Sequence, residues 1–123
     1  MDCRICHSDR LPAVLLVGTA EDRHAGARTC SARADISEAD FPGICDIWSD
    51  DMPDIVVAPL FSRGFDSFDV ARFLHHRGYR GMLRIVSAPL PRPDMVLSEL
   101  RLAFPGLRMD IVTVTAAQAV RVA

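Results

Sequence analysis

Cys3, Cys6 and His7 stand at C-x-x-C-H spacing close to the start of the chain. That spacing serves two chemistries. It is the attachment pattern of c-type haem. It also supplies three of the four ligands of a tetrahedral zinc ion, with Cys30, Cys45 or His24 to provide the fourth. Haem is attached outside the cytoplasm, and the opening residues, MDCRICHSDR, lack the apolar stretch of an export signal. Residues 1–11 are therefore expected to be a flexible arm carrying two thiols and an imidazole. No metal and no cofactor is expected, with zinc on Cys3, Cys6 and His7 as the alternative.

The other reactive side chains form no set. His75 and His76 are adjacent in a helical stretch and point in different directions, so they chelate poorly together. Gly18 stands alone, without the spacing of a phosphate-cradling glycine loop. All fourteen basic residues are arginine. Schiff-base chemistry and a P-loop lysine are thereby excluded.

Composition bounds the rest. A chain of 123 residues, half of them hydrophobic, is long enough for one domain with a real core, expected over residues 12–123. The net charge of −2 gives no electrostatic reason to bind nucleic acid or an anionic membrane. No apolar run approaches the ~20 residues of a membrane span. The protein is expected to be cytoplasmic, with its cysteines as thiols.

The elements follow from runs and punctuation. Ala13–Val17 is a continuous apolar run that stops at Gly18 and predicts a strand buried on both faces. Residues 19–35 lack large apolar side chains at helical spacing; a short, poorly packed helix and a weak strand near Ala32–Ile36 are expected. Asp40 caps a second helix with Pro42 in its first turn, Ile44, Ile47 and Trp48 on one face, and Met52-Pro53 as its stop. Asp54–Leu60 reads as the central strand. Asp66 caps a third helix that runs to about Arg77 and buries Phe68, Ala71 and Leu74, with Gly78 just past its end. Met82–Val86 is a fourth strand. A helix over Pro93–Ala103 turns Val96, Leu97, Leu100 and Phe104 inward, and Met109–Val114 is a fifth strand. Strands alternating with helices, through connections too long for hairpins, predict an α/β three-layer sandwich on a five-stranded parallel sheet.

Residues 53–88, PDIVVAPLFSRGFDSFDVARFLHHRGYRGMLRIVSA, resemble the central strand–loop–helix–strand unit of response-regulator receiver domains. The element order extends the likeness from 13 to 114, and implies a flavodoxin-like, receiver-like fold. In that family the third strand ends in the aspartate that accepts phosphate; here the position is Pro59. The acidic pair that follows the first strand and holds Mg²⁺ is replaced by Gly18 and Thr19. The lysine after the fifth strand has no counterpart in VTVTAAQ. The hydroxyl at the end of the fourth strand is kept as Ser87. Glu21 and Asp22 could swing toward the pocket, but a metal held there without the nucleophile would have nothing to activate. The resemblance thus implies a degenerate pocket of Gly18, Thr19, Pro59 and Ser87 without the family's reaction.

Gly18-Thr19 with Asp22-Arg23-His24 is also similar to the D-x-H-x-x-G start of cobalamin-binding domains, whose histidine ligates cobalt. The chain departs from that pattern at Ala27, at Ala58 in APL, and at Ser87-Ala88. Two functions remain. A non-phosphorylatable pseudo-receiver would work as a signalling or scaffold protein through protein contacts, with no catalytic residue, and is preferred. A small-molecule-binding domain or enzyme would use the cleft at the carboxyl ends of the strands. Phe61, Arg63, Gly64 and Phe65 would then form a ligand loop for an aromatic or anionic molecule.

The receiver layout implies that the first and last helices shield one face and that the second, third and fourth do not all share a side. With a small polar first helix and a short last element, Ala116–Ala123, that face is under-covered. A homodimer is expected, with Val112, Val114, Val120 and Val122 near the interface.

Overall fold

The structure, a computed structural model, describes residues 11–30, 33–48 and 52–114. The Cys3, Cys6 and His7 cluster and Val120 and Val122 lie outside the described residues. Strand β1 (Ala13–Val17) buries Val14, Leu15, Leu16 and Val17 to 4% exposure or less, as a strand covered on both faces must. Around it run β2 (Asp35–Ala39), β3 (Ile55–Pro59), β6 (Met82–Ser87) and β7 (Arg108–Thr113), with a separate hairpin of β4 (Phe61–Ser62) and β5 (Phe65–Asp66). The main sheet has order β2-β1-β3-β6-β7, and every pairing in it is parallel. This is the doubly wound order, with its switch point between β1 and β3.

Alternation along the strands sorts the two faces. Leu15, Val17, Val56, Ala58, Leu83, Ile85 and Met109 point to one side, Val14, Leu16, Val57 and Val86 to the other. The first side is covered by three helices: α2 (Phe41–Ile47) through Ile44, α3 (Ser67–His76) through Val70, Ala71 and Leu74, and α4 (Pro93–Ala103) through Leu100. The second, third and fourth helices therefore share one face, against the expectation. Their buried residues join one continuous core on that side.

The opposite face is met by α1 (Ala20–Ala27). Thr19 caps it: its Oγ1 accepts from the Asp22 N–H at 3.2 Å, and the Asp22 carboxylate accepts from the Thr19 N–H at 2.9 Å. No large apolar side chain is available, so the helix backbone itself comes close. A Cβ added at Gly26 would lie 2.9 Å from Val57 Cγ1. Ala27, Cys30 and Ala34 pack around Val14, Leu16, Val57 and Val86.

Two elements differ from the sequence reading. The second strand forms over Asp35–Ala39, later than Ala32–Ile36, and most of it is exposed. It is an edge strand held by its ladder to β1 and by the Arg23–Glu38 ion pair at 2.8 Å, so apolar content does not mark it. Helix α2 ends at Ile47, well before Met52-Pro53. Trp48 leaves in extended backbone, and its ring meets Phe73 and Tyr79 edge-on, each at 5.5 Å. Aromatic packing stops the helix before the proline can.

Candidate functional site

At the carboxyl ends of β1, β3 and β6 the loops open into a cleft of about 330 Å³. Its walls are Asp22 and Ala25 from α1, Pro59, Leu60 and Phe61 from β3 and the hairpin, Val86, Ser87, Ala88 and Leu90 beyond β6, and Val114 after β7. Each arrives for a local reason.

Gly18 ends β1 with φ of +130°, a conformation other residues rarely adopt, and a Cβ there would strike the Asp22 carboxylate. Its N–H donates to Ala39 O at 3.0 Å, and its carbonyl accepts from Arg23 Nη1 at 2.7 Å. The turn thus spends its polar groups on β2 and α1. It also delivers Asp22, from the first turn of α1, to the cleft wall. Thr19 is used as the helix cap and does not line the cleft.

Pro59 is the last residue of β3 and is buried. The Leu60 N–H donates to Val86 O at 2.9 Å, toward β6. Successive strand amides alternate in direction, so the Pro59 nitrogen faces β1. Pairing between β1 and β3 stops at Leu16–Val57. The missing N–H therefore costs no ladder bond, and a proline is tolerated at the end of a central strand.

Ser87 ends β6 at 7% exposure, and its hydroxyl donates to the Ala88 carbonyl. The Asp22 carboxylate accepts from the Ser62 hydroxyl in addition to the Thr19 N–H. Among the described residues Asp22 is the only acidic side chain lining the cleft, and no Arg or His side chain lines it. Among the described residues no three His, Cys, Asp or Glu side chains gather to hold a metal ion.

The architecture is shared with solved structures. A two-component response regulator of the LuxR family from Aurantimonas sp. SI85-9A1 superposes with a TM-score of 0.60 at 16% identity, over 85% of this chain and 74% of that one. Response regulator DrrB of Thermotoga maritima, an OmpR/PhoB homologue, gives 0.59 at 9% identity, over 91% of this chain and 49% of that one. The receiver domain of Francisella response regulator 1452 gives 0.53 at 14% identity, over 90% and 93%. The fold is that of a response-regulator receiver domain. No family model and no curated protein sequence matches the chain.

On the receiver fold, the positions chosen from sequence gather at one end of the sheet. Pro59 and Ser87 line the cleft, while Gly18 and Thr19 form the turn beside it. Of Phe61, Arg63, Gly64 and Phe65, only Phe61 lines it, and that ring is 74% exposed. Arg63 and Gly64 occupy the hairpin turn, and Phe65 stacks on Phe41 with centroids 4.9 Å apart. His24 is exposed on α1, and His75 Nε2 lies 3.0 Å from Pro105 O.

Ala25, Ser62 and Leu90 carry no motif that marks them in the sequence, whereas Asp22 is near enough in sequence to the pocket to line it. Thr19-x-x-Asp22 is a readable capping signature that fixes where the carboxylate sits. The Ser62 contact depends on the hairpin. Its signal was the two-residue Arg63-Gly64 turn, with Gly64 at φ +85°.

Proposed function

We propose that this chain is a pseudo-receiver: a receiver-fold domain that takes no phosphoryl group and acts in signalling or as a scaffold through protein contacts. One observation carries the reading. The end of β3, where a receiver's nucleophile must stand, holds a buried proline whose ring forms part of the cleft wall. Among the described residues around it, none supplies the missing groups. Asp22 already accepts two hydrogen bonds, the turn after β1 offers a glycine and a threonine, and the chain has no lysine. The reading treats residues 12–123 as one cytoplasmic domain preceded by an arm, with no catalytic residue and no cofactor.

The test is direct. The full chain is incubated with Mg²⁺ and acetyl phosphate, and separately with Mg²⁺ and beryllofluoride. Mass and amide spectra are expected to stay unchanged. A stoichiometric aspartyl-phosphate, or a beryllofluoride complex on Asp22, overturns the proposal.

The partner we favour first is a second copy of the chain. The face that carries α1 keeps Ile55, Met82, Val112 and Val114 only half-buried among the described residues, beside the Arg84–Asp110 pair at 3.5 Å. A two-fold dimer covering Val112 and running up to Val114 at the cleft rim buries that strip.

A further inference from the structure

The cleft has a polarity opposite to that of a site for phosphate. Its apolar wall is formed by Pro59, Leu60, Val86, Leu90 and Val114, joined by Ala25 and Ala88. Its polar side-chain atoms accept. The Ser87 hydroxyl donates to the Ala88 carbonyl, and its oxygen keeps lone pairs that can accept. The Asp22 carboxylate takes both of its hydrogen bonds, from Thr19 and Ser62, on Oδ2, and Oδ1 receives none among the described residues. Arg23 sits nearby but spends its guanidinium on Gly18 O and Glu38. Among the described residues an anion in this cleft meets the Asp22 carboxylate and no Arg or His side chain. A cation with an apolar body meets an oxygen acceptor and a dry wall. At about 330 Å³ the space falls at the small end of the range for small-molecule sites, roughly 300–1,000 Å³.

We infer that the cleft binds a small organic ammonium ion, its N–H groups bonded to Asp22 and its aromatic or branched aliphatic body lying on the wall of Pro59, Leu60, Val86, Leu90 and Val114. The inference rests on the preceding reading, in that a cleft committed to Mg²⁺ and a phosphoryl group has no room for this ligand.

Three probes of one shape and different charge test it: benzylammonium, benzyl alcohol and benzoate. Each is titrated into the full chain and followed by amide and methyl NMR. Benzylammonium is expected to shift the signals of Ala25, Val86, Leu90 and Val114 saturably. Benzyl alcohol should bind at least about fivefold more weakly and benzoate not measurably, given the loss of one charge-assisted hydrogen bond. Asp22→Asn keeps an oxygen for Thr19 and Ser62, so the cap survives, and should weaken benzylammonium by about fivefold or more. Ala88→Leu touches no cap, fills the cleft and should abolish binding.

Benzoate binding as tightly as benzylammonium overturns the inference. So does benzylammonium binding that Asp22→Asn leaves unchanged, or an absence of saturable shifts in the pocket. If benzylammonium fails while beryllofluoride also leaves the spectra unchanged, the ligand is wrong and the pseudo-receiver reading stands. If beryllofluoride binds at Asp22, that reading falls as well.

Discussion

In the pseudo-receiver reading, Pro59 keeps the fold while leaving the end of β3 without a nucleophile. It fits the strand because the ladder toward β1 has already stopped, and it offers no carboxylate at the strand end. Reversal by one substitution is not expected. Pro59→Asp should remain unphosphorylated by acetyl phosphate and Mg²⁺ in a mass measurement, because the acidic pair and the lysine are still missing. It should also lose at least about 1 kcal/mol in urea unfolding, since the carboxylate enters a mainly apolar wall without a donor. Phosphate appearing on this variant would show that Asp22 alone suffices to hold the metal.

Tyr79 is the residue that ties stability to pH. Its hydroxyl donates to Pro53 O at 2.8 Å, and burial, with the nearby Asp54 carboxylate second, pushes its phenol well above the usual value of 10.0. The folded state holds that proton after the unfolded chain has released it. The stabilisation is complete below pH 10.0 and is lost as pH rises above it, at no more than about 1.4 kcal/mol per pH unit. Urea midpoints should therefore fall between pH 10 and pH 11.5, by the slope just given. Tyr79→Phe should flatten that fall while costing about 1 kcal/mol at neutral pH. An equal alkaline decline in the variant would assign the effect elsewhere.

Among the elements, α1 departs furthest from what an apolar pattern predicts. It packs by proximity, with Gly26 against Val57 and Leu16. In an exposed helix Gly→Ala gains about 1 kcal/mol. Here the new methyl must push Val57 or lift the helix, and overpacking costs about 1–3 kcal/mol. Gly26→Ala should therefore destabilise by up to about 2 kcal/mol in urea, and a stabilised variant would show that the helix floats free of the sheet.

The same element explains what the sequence could and could not reveal. Strands β1, β3 and β6 are dense in apolar residues, and α3 and α4 carry caps or prolines at their starts, so their positions were legible. Strand β2 was displaced because DISEA earns its place by backbone pairing. Helix α2 was overlong because the Trp48 contacts with Phe73 and Tyr79 are tertiary. The cleft was half legible. Pro59 and Ser87 follow from strand ends, whereas the Asp22–Ser62 bond requires α1 and the hairpin to be set side by side.

At the scale of the molecule, among the described residues, one sheet face is covered by three helices and the other by α1 together with the Arg84–Asp110 pair. Arg84 also donates to Thr29 O at 3.3 Å, so this face mixes a charge pair with Val112 and Val114. Light scattering at micromolar concentration is expected to give a dimer mass, and Val112→Asp a monomer with an unchanged circular dichroism spectrum. A wild-type monomer would refute the covered-face argument. No helix among the described residues is long and apolar enough to cross a membrane.

Both rims of the main sheet bear on how copies of the chain avoid one another. Strand β2 forms one outer border with Asp35 and Glu38, and β7 forms the other with Arg108 and Asp110. An open border carries unpaired amides and carbonyls that invite another strand, and charged side chains there are a known guard. Stacking end to end would require these carboxylates and guanidinium groups to shed water along the seam. The chain is thereby steered away from ribbon-like polymers and toward finite assemblies.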